Sequence, residues 1–190
     1  MIIGLTGGYG SGKDVVGDYF TSKGFIKYSL SDIIREHCLR DGLELTRDNL
    51  IKKGNELRKK FGPWILAKLI KEKIDPKKDY IIVSIRNPAE VNELKGLKNF
   101  YLVKVEAPEI IRFNRVNSRA RDGELYSSLQ DFIAKESEEL ISKNSENQNL
   151  NSVFSMASII VRNPYKTQKE LYFVLDKLYS DLKNKKIKQK

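Results

Sequence analysis

The sequence predicts an α/β fold, a five-stranded parallel sheet flanked by helices. Three observations lead there. Short apolar runs alternate with longer stretches of helical spacing, the strand–helix pattern that builds a mainly parallel sheet with helices on both faces. The first run passes directly into a turn with four glycines and then into an amphipathic helix. The chain of 190 residues, 40% hydrophobic and 32% charged, suffices for one such domain and is globular in composition.

Residues 1–6 read as a buried strand ending at Gly7. From Lys13 the spacing is helical, with Val15, Val16, Tyr19 and Phe20 on one face, and Lys23-Gly24 stops it. Phe25 to Leu30 is a second short strand. Ser31 suits the cap of a helix to about Arg40, which Asp41-Gly42 ends. Thr46 caps a third helix, with Leu50, Gly54, Leu57 and Phe61 on one stripe. Pro63 suits the first turn of a fourth, where Ile65, Leu66, Leu69, Ile70 and Ile74 keep helical spacing. Tyr80 to Ile85 is an apolar strand, and Pro88 opens a short helix to about Leu97. Phe100 to Glu106 is the next strand, followed by a helix from Pro108 to about Arg119 and a loop over 120–128. Residues 129–143 are helical and charged, whereas 144–152 are polar and read as irregular. Ser158 to Arg162 is the last strand, and Thr167 caps a final amphipathic helix. No repeat or linker divides residues 1–190.

Bulk properties exclude several classes. No apolar run approaches the ~20 residues that span a bilayer, so no membrane partner is expected. The opening residues do not read as a signal peptide, and the one cysteine, Cys38, cannot form an internal disulfide; both fit a cytoplasmic protein. The net charge of +10 suits anionic substrates as well as nucleic acid. The lysine clusters, such as Lys59-Lys60 and Lys183 to Lys190, lack the interleaved aromatics on which bases would stack, which argues against specific nucleic-acid binding. Cys38 and the single histidine, His37, are adjacent on a predicted helix and cannot share a face, so packing is the better reading than a metal or nucleophile pair.

The strongest signal is Gly7-Gly8-Tyr9-Gly10-Ser11-Gly12-Lys13-Asp14, which fits the phosphate-loop pattern G-x-x-x-x-G-K. A strand delivers the chain to the loop. Glycines let backbone N–H groups turn inward around a phosphate, and the following helix points its positive end at the anion. Lys13 supplies a mobile charge for the β- and γ-oxygens. The candidate nucleotide-binding residues are therefore Gly8, Tyr9, Gly10, Ser11, Gly12, Lys13, Asp14 and Val15. Asp14 stands where Ser or Thr usually ligates Mg²⁺; a carboxylate is also a hard oxygen ligand, so Asp14 is the candidate metal ligand.

Ile3-Gly4-Leu5-Thr6 together with this loop resembles the opening of dephospho-CoA kinases, whose loop normally continues with Ser. Gly12-Lys13-Asp14 instead resembles phage-type deoxynucleoside monophosphate kinases and animal phosphomevalonate kinase. Those proteins also carry a strand ending in Asp-x-Arg with an acidic residue a few positions on. Here the matching segment is Val83-Ser84-Ile85-Arg86-Asn87-Pro88-Ala89-Glu90: Arg86 and Glu90 fit, and Ser84 stands where Asp is expected. The resemblance implies the nucleoside monophosphate kinase-like branch of P-loop folds, with a five-stranded parallel core, an acceptor-binding helical segment (32–75) and an arginine-bearing lid (112–128).

Arg112, Arg115 and Arg119 are spaced to share one helix face, and Arg121 follows in the loop. In a lid, Arg119 and Arg121 would neutralise the charge of a transferring phosphoryl group. Arg86 follows a strand end, where the ligand crevice of such sheets lies, and would grip a phosphate or pair with Glu90. Asp32 follows the second strand and would orient or deprotonate an acceptor hydroxyl, hold Mg²⁺ through water, or simply cap its helix. Asn163, after the last strand, lies in a loop that abuts the donor base in similar kinases. The expected protein is an ATP- and Mg²⁺-dependent kinase, monomeric or homodimeric. It would pass the γ-phosphoryl group to a nucleoside or deoxynucleoside monophosphate, or to a nucleotide-like alcohol such as dephospho-CoA. A nucleotide-dependent switch with slow hydrolysis is the rival that Ser84 keeps open.

Overall fold

A computed structural model describes residues 1–119, 125–140 and 149–184. The elements, in chain order, are β1 (Ile2–Thr6), α1 (Lys13–Ser22), β2 (Ile26–Ser29), α2 (Leu30–Arg40), α3 (Arg47–Phe61), α4 (Ile65–Lys71), β3 (Tyr80–Val83), α5 (Pro88–Lys95), β4 (Phe100–Glu106), α6 (Glu109–Arg119), α7 (Leu129–Leu140), α8 (Leu150–Ser155), β5 (Ile159–Arg162) and α9 (Gln168–Lys183). The five strands form one sheet in the order β2-β3-β1-β4-β5, and every pairing is parallel.

The centre of the sheet is buried on both faces, which is why β1 and β3 are buried along their whole length and nearly continuously apolar. Successive residues of a strand point to opposite faces, and each face has its own core. Ile2, Ile82 and Leu102 pack against α2–α5 and α8. Ile3, Leu5, Ile81 and Val103 pack against α1 and α9, whose own contributions include Val16, Phe20, Leu171, Leu175 and Leu178. On this second side Tyr19 Oη donates to Asp176 Oδ1 at 2.6 Å, tying α1 to α9.

Several boundaries differ from those expected, each for a local reason. Ser29, not Ser31, caps α2: its backbone is extended and its hydroxyl accepts the Ser31 N–H at 3.2 Å. β3 stops at Val83 because Ser84 has φ 67°, a left-handed conformation that cannot continue a strand. Pro63 lies in the turn before α4, after Gly62 at φ 100°. Phe61 is 49% exposed and leaves the α3 stripe to Leu50, Gly54 and Leu57. Of the segment 144–152 expected to be irregular, 144–148 lie outside the described residues and 150–152 open the helix α8: the Asn149 side chain caps it by accepting the Ser152 N–H at 3.1 Å, and Leu150 and Val153 are buried. Thr46 caps α3 and Thr167 caps α9, as the sequence indicates.

A fully buried ion pair joins α3 to α5. Arg58 donates through Nε and Nη2 to Glu90 Oε1, at 3.0 and 2.8 Å. The other oxygen, Oε2, accepts the backbone N–H groups of Arg86 and Asn87 at 2.9 and 3.0 Å. One carboxylate thereby fixes both the helical segment and the loop leaving β3. Among the described residues no helix is long and apolar enough to cross a membrane.

Candidate active site

All five strands run the same way, so their C-terminal ends form one edge of the sheet, the edge at which ligands bind in open α/β sheets. The loop Gly7–Asp14 leaves this edge after β1. Gly10 and Gly12 have φ 74° and 96°. A Cβ at Gly12 would lie 2.3 Å from Asn163 Nδ2, and one at Gly10 would lie 2.6 Å from the Arg112 carbonyl oxygen. Both positions therefore demand glycine for conformation and for space. Gly12 also caps α1 without a side chain, which leaves the first-turn N–H groups of the helix pointing into the loop. Lys13 arches back, its Nζ donating to the Gly8 carbonyl at 2.9 Å.

The loop is braced from two sides. Asn163 is buried and donates through Nδ2 to the Ser11 carbonyl at 2.8 Å. Arg115 donates to the carbonyls of Asn163 and Tyr165, at 3.2 and 2.6 Å, and reaches that of Gly10 at 3.5 Å. Burial holds the Arg115 pKa below its usual value. On the other side Arg112 and Glu136 form a buried ion pair around the loop tip. Glu136 Oε1 accepts the Tyr9 N–H at 3.1 Å, and Arg112 donates to the carbonyls of Tyr9 and Ala107, at 3.2 and 3.0 Å. Ser11 Oγ is buried with no hydrogen-bond partner among the described residues.

A cavity of about 920 Å³ opens over the loop. One end is lined by Lys13, Asp14, Val15, Arg115 and the segment from Asn163 to Gln168. The other reaches α2 and α3 through Asp32, Ile34, Leu50 and Ile51. Six arginines and three lysines line it against three carboxylates, and with Arg58 offset by the buried Glu90 an excess of five positive charges remains. Such a compartment concentrates anions.

The sequence-derived candidates mostly meet here. Lys13, Asp14, Asp32, Arg86, Arg119 and Asn163 all line the cavity. Asp32 is exposed, and its carboxylate takes Arg35 Nη1 at 2.8 Å. Arg86 sits beyond Ser84 in the loop fixed by Glu90, which accepts its backbone N–H. Ser84 lines the cavity where a carboxylate was expected, and its hydroxyl meets that of Ser29 at 3.4 Å. The three spaced arginines of α6 serve different partners: Arg112 the loop tip, Arg115 the carbonyls, and Arg119 the ring of Tyr9, with its guanidinium carbon 5.0 Å from the centroid. Arg121 lies outside the described residues. Cys38 is buried, and burial pushes its thiol pKa up, so packing describes it well.

Sequence reasoning missed Arg47, which lines the cavity and lies 4.0 Å from the Tyr9 ring centroid. A signal was present: Arg47 is the first residue of α3, where the helix dipole disfavours a cation. Lys27 and Asp18, paired at 2.8 Å on the cavity wall, were also missed.

No protein-family model matches the chain. A UPF0200 protein of Thermococcus kodakarensis is 35% identical over 147 residues, covering 74% of this chain and 79% of that protein. The chain belongs to the UPF0200 family. Another UPF0200 protein, from Methanococcus vannielii, is 31% identical over 166 residues, with 85% and 86% covered. Among solved structures, the UPF0200 chain is similar to TT1252 from Thermus thermophilus (TM-score 0.60, 21% identity, 96% and 97% covered). It is similar also to a shikimate kinase from Aquifex aeolicus (TM-score 0.57, 20% identity, 95% and 98% covered). These likenesses establish the fold alone, a parallel α/β sheet with a phosphate loop, shared with that shikimate kinase.

Proposed function

We propose that this UPF0200 protein is an ATP-dependent phosphotransferase that passes a γ-phosphoryl group to a phosphate-bearing acceptor, a nucleoside or deoxynucleoside monophosphate. The observation that carries the reading is the continuity of the cavity. A phosphate loop and an arginine-bearing compartment between α2, α3 and the β3–α5 loop share one space, as a donor and an acceptor in contact require.

The loop fits a triphosphate. Its glycines hold backbone conformations and close approaches that a side chain would forbid, its backbone is locked from both sides, and Lys13 folds back over it. The segment Asn163 to Gln168 and Arg115 would border the base. Mg²⁺ commonly binds through one or two carboxylates plus substrate phosphates and water, and Asp14 in the first turn of α1 fits that role. When bound, the ion would offset charge between the β- and γ-phosphates. The protein's share is positioning and charge. Lys13 reaches the phosphates, Arg115 holds the donor end of the cavity in shape, and Arg86 and Arg119 flank the transfer path.

The acceptor end favours an oxygen that is already ionised. At the end of β3 stands a serine, whereas Asp32 and Asp18 are each paired with a nearby cation. A phosphate monoester attacks without surrendering a proton, and its charge matches the cationic lining. The sequence likeness to dephospho-CoA kinases sustains a second reading, an alcohol acceptor, for which Asp32 would have to release Arg35 and act as base. Both readings place the protein in the cytoplasm, where ATP and such acceptors occur.

ADP release should be followed with ATP and Mg²⁺ across nucleoside monophosphates, deoxynucleoside monophosphates, dephospho-CoA and phosphomevalonate. Stimulation by monophosphates supports the first reading and stimulation by dephospho-CoA alone supports the second. Slow release that no acceptor changes would replace both with a nucleotide switch.

A further inference from the structure

Tyr9 occupies the third position of the phosphate loop, and its backbone is held on both sides, N–H by Glu136 and C=O by Arg112. The ring is thus carried on a rigid mount. It packs against Phe132 of α7, with centroids 6.3 Å apart and planes at 22°, and meets the edge of Tyr126 at 6.5 Å. Two guanidinium groups from distant parts of the chain come to the same ring. Arg47, the first residue of α3, has its guanidinium carbon 4.0 Å from the centroid, and Arg119, the last residue of α6, has its own at 5.0 Å. Arg47 also donates through Nη1 to Tyr126 Oη at 3.2 Å. Tyr126 is in turn pinned to α6 by two bonds between its backbone and the Asn117 side chain, at 2.9 and 3.1 Å.

Like charges repel, so two guanidinium groups that meet at one place gain from any negative charge facing both. The face of an aromatic ring carries that negative charge, and a partly desolvated ring holds a cation most strongly. Both arginines line the cavity that contains Lys13.

We infer that Tyr9 is a positioning residue: its ring holds Arg47 and Arg119 together at the phosphate loop and so couples the α3 segment to α6. The role of the two arginines toward a phosphoryl group rests on the kinase reading above; the coupling itself does not. The ring acts through its charge distribution, so its effect is separable from its bulk.

The test replaces Tyr9 with phenylalanine, with trifluorinated phenylalanine and with leucine in the full chain. Amide hydrogen exchange is read in the nucleotide-free protein over residues 47–50 and 115–119. Phenylalanine keeps the ring and should leave exchange close to that of the unaltered protein. Trifluorinated phenylalanine keeps the shape but withdraws charge from the face, and should speed exchange in both segments by up to about tenfold, as leucine should. If trifluorinated phenylalanine behaves as phenylalanine does, the ring only packs and the inference fails. Faster exchange in one segment alone also overturns it. Should the leucine variant not fold, the two ring-bearing variants carry the comparison. Once an acceptor is found, kcat should fall along the phenylalanine-to-trifluorinated step more than KM for ATP rises; an unchanged kcat would overturn the positioning role. Absence of acceptor turnover in the unaltered protein would count against the kinase reading and leave the exchange result to decide the coupling.

Discussion

At the scale of single residues, the loop makes the sharpest demands. Lys13 lies over the Gly8 carbonyl rather than in a core, so Lys13→Ala should leave thermal unfolding within a few degrees and remove phosphoryl transfer. A folded Lys13→Ala protein that turns over normally would contradict its role. Gly12→Ala should do the reverse of a silent change. It would meet Asn163 Nδ2 at 2.3 Å in a backbone conformation that side chains rarely adopt, so nucleotide affinity should fall at least tenfold. Isothermal titration with ATP and Mg²⁺ checks it, and unaltered affinity would show that the loop can yield.

At the scale of elements, the Arg58–Glu90 pair joins α3, α5 and the loop that presents Arg86. Both side chains are essentially inaccessible, at 1% and 0% exposure. Removing Glu90 leaves Arg58 and two backbone N–H groups without their acceptor, so Glu90→Ala should cost about 3–5 kcal/mol, read from denaturant unfolding. A loss below about 1 kcal/mol would mean that water or a neighbour replaces the carboxylate. The element order was largely legible in the sequence, because apolar runs such as Tyr80 to Val83 and caps such as Thr46 and Thr167 act locally. The start of α8 was not, since Asn149 caps a segment with only Leu150 and Val153 to mark its buried side. The phosphate loop was legible for the same local reason. Arg47 and the Arg58–Glu90 pair were hidden because partners 32 residues apart or more leave no periodic trace.

At the scale of the whole molecule, two sets of groups set the pH range of stability. The Glu106 carboxyl is held below its ordinary value by the hydrogen bond from Lys104, and that of Asp176 by the hydroxyl of Tyr19 and by Lys23. Such groups stabilise the fold above the unfolded carboxylate value of about 4, and their contribution is lost as pH falls through their lower folded values. Burial, aided by Asp176, raises the Tyr19 phenol, and burial raises the Cys38 thiol. Their contribution is present below the unfolded values, about 8.5 for Cys and 10 for Tyr, and is lost as pH rises through the folded ones. The unfolding temperature should therefore be highest between about pH 5 and 8 and fall on both sides. A Tyr19→Phe variant should lose part of the alkaline fall, and an identical alkaline slope would contradict the assignment.

The net positive charge also explains why the cavity should draw two anions at once, since an excess of five cationic side chains surrounds it once Arg58 is set against Glu90. The most direct measurement follows the label from γ-labelled ATP in the presence of Mg²⁺ and a nucleoside monophosphate panel. The label should appear on one class of monophosphate, and Lys13→Ala should stop its transfer. Label found only in inorganic phosphate, at a rate indifferent to every acceptor, would contradict phosphoryl transfer and leave a nucleotide-hydrolysing switch.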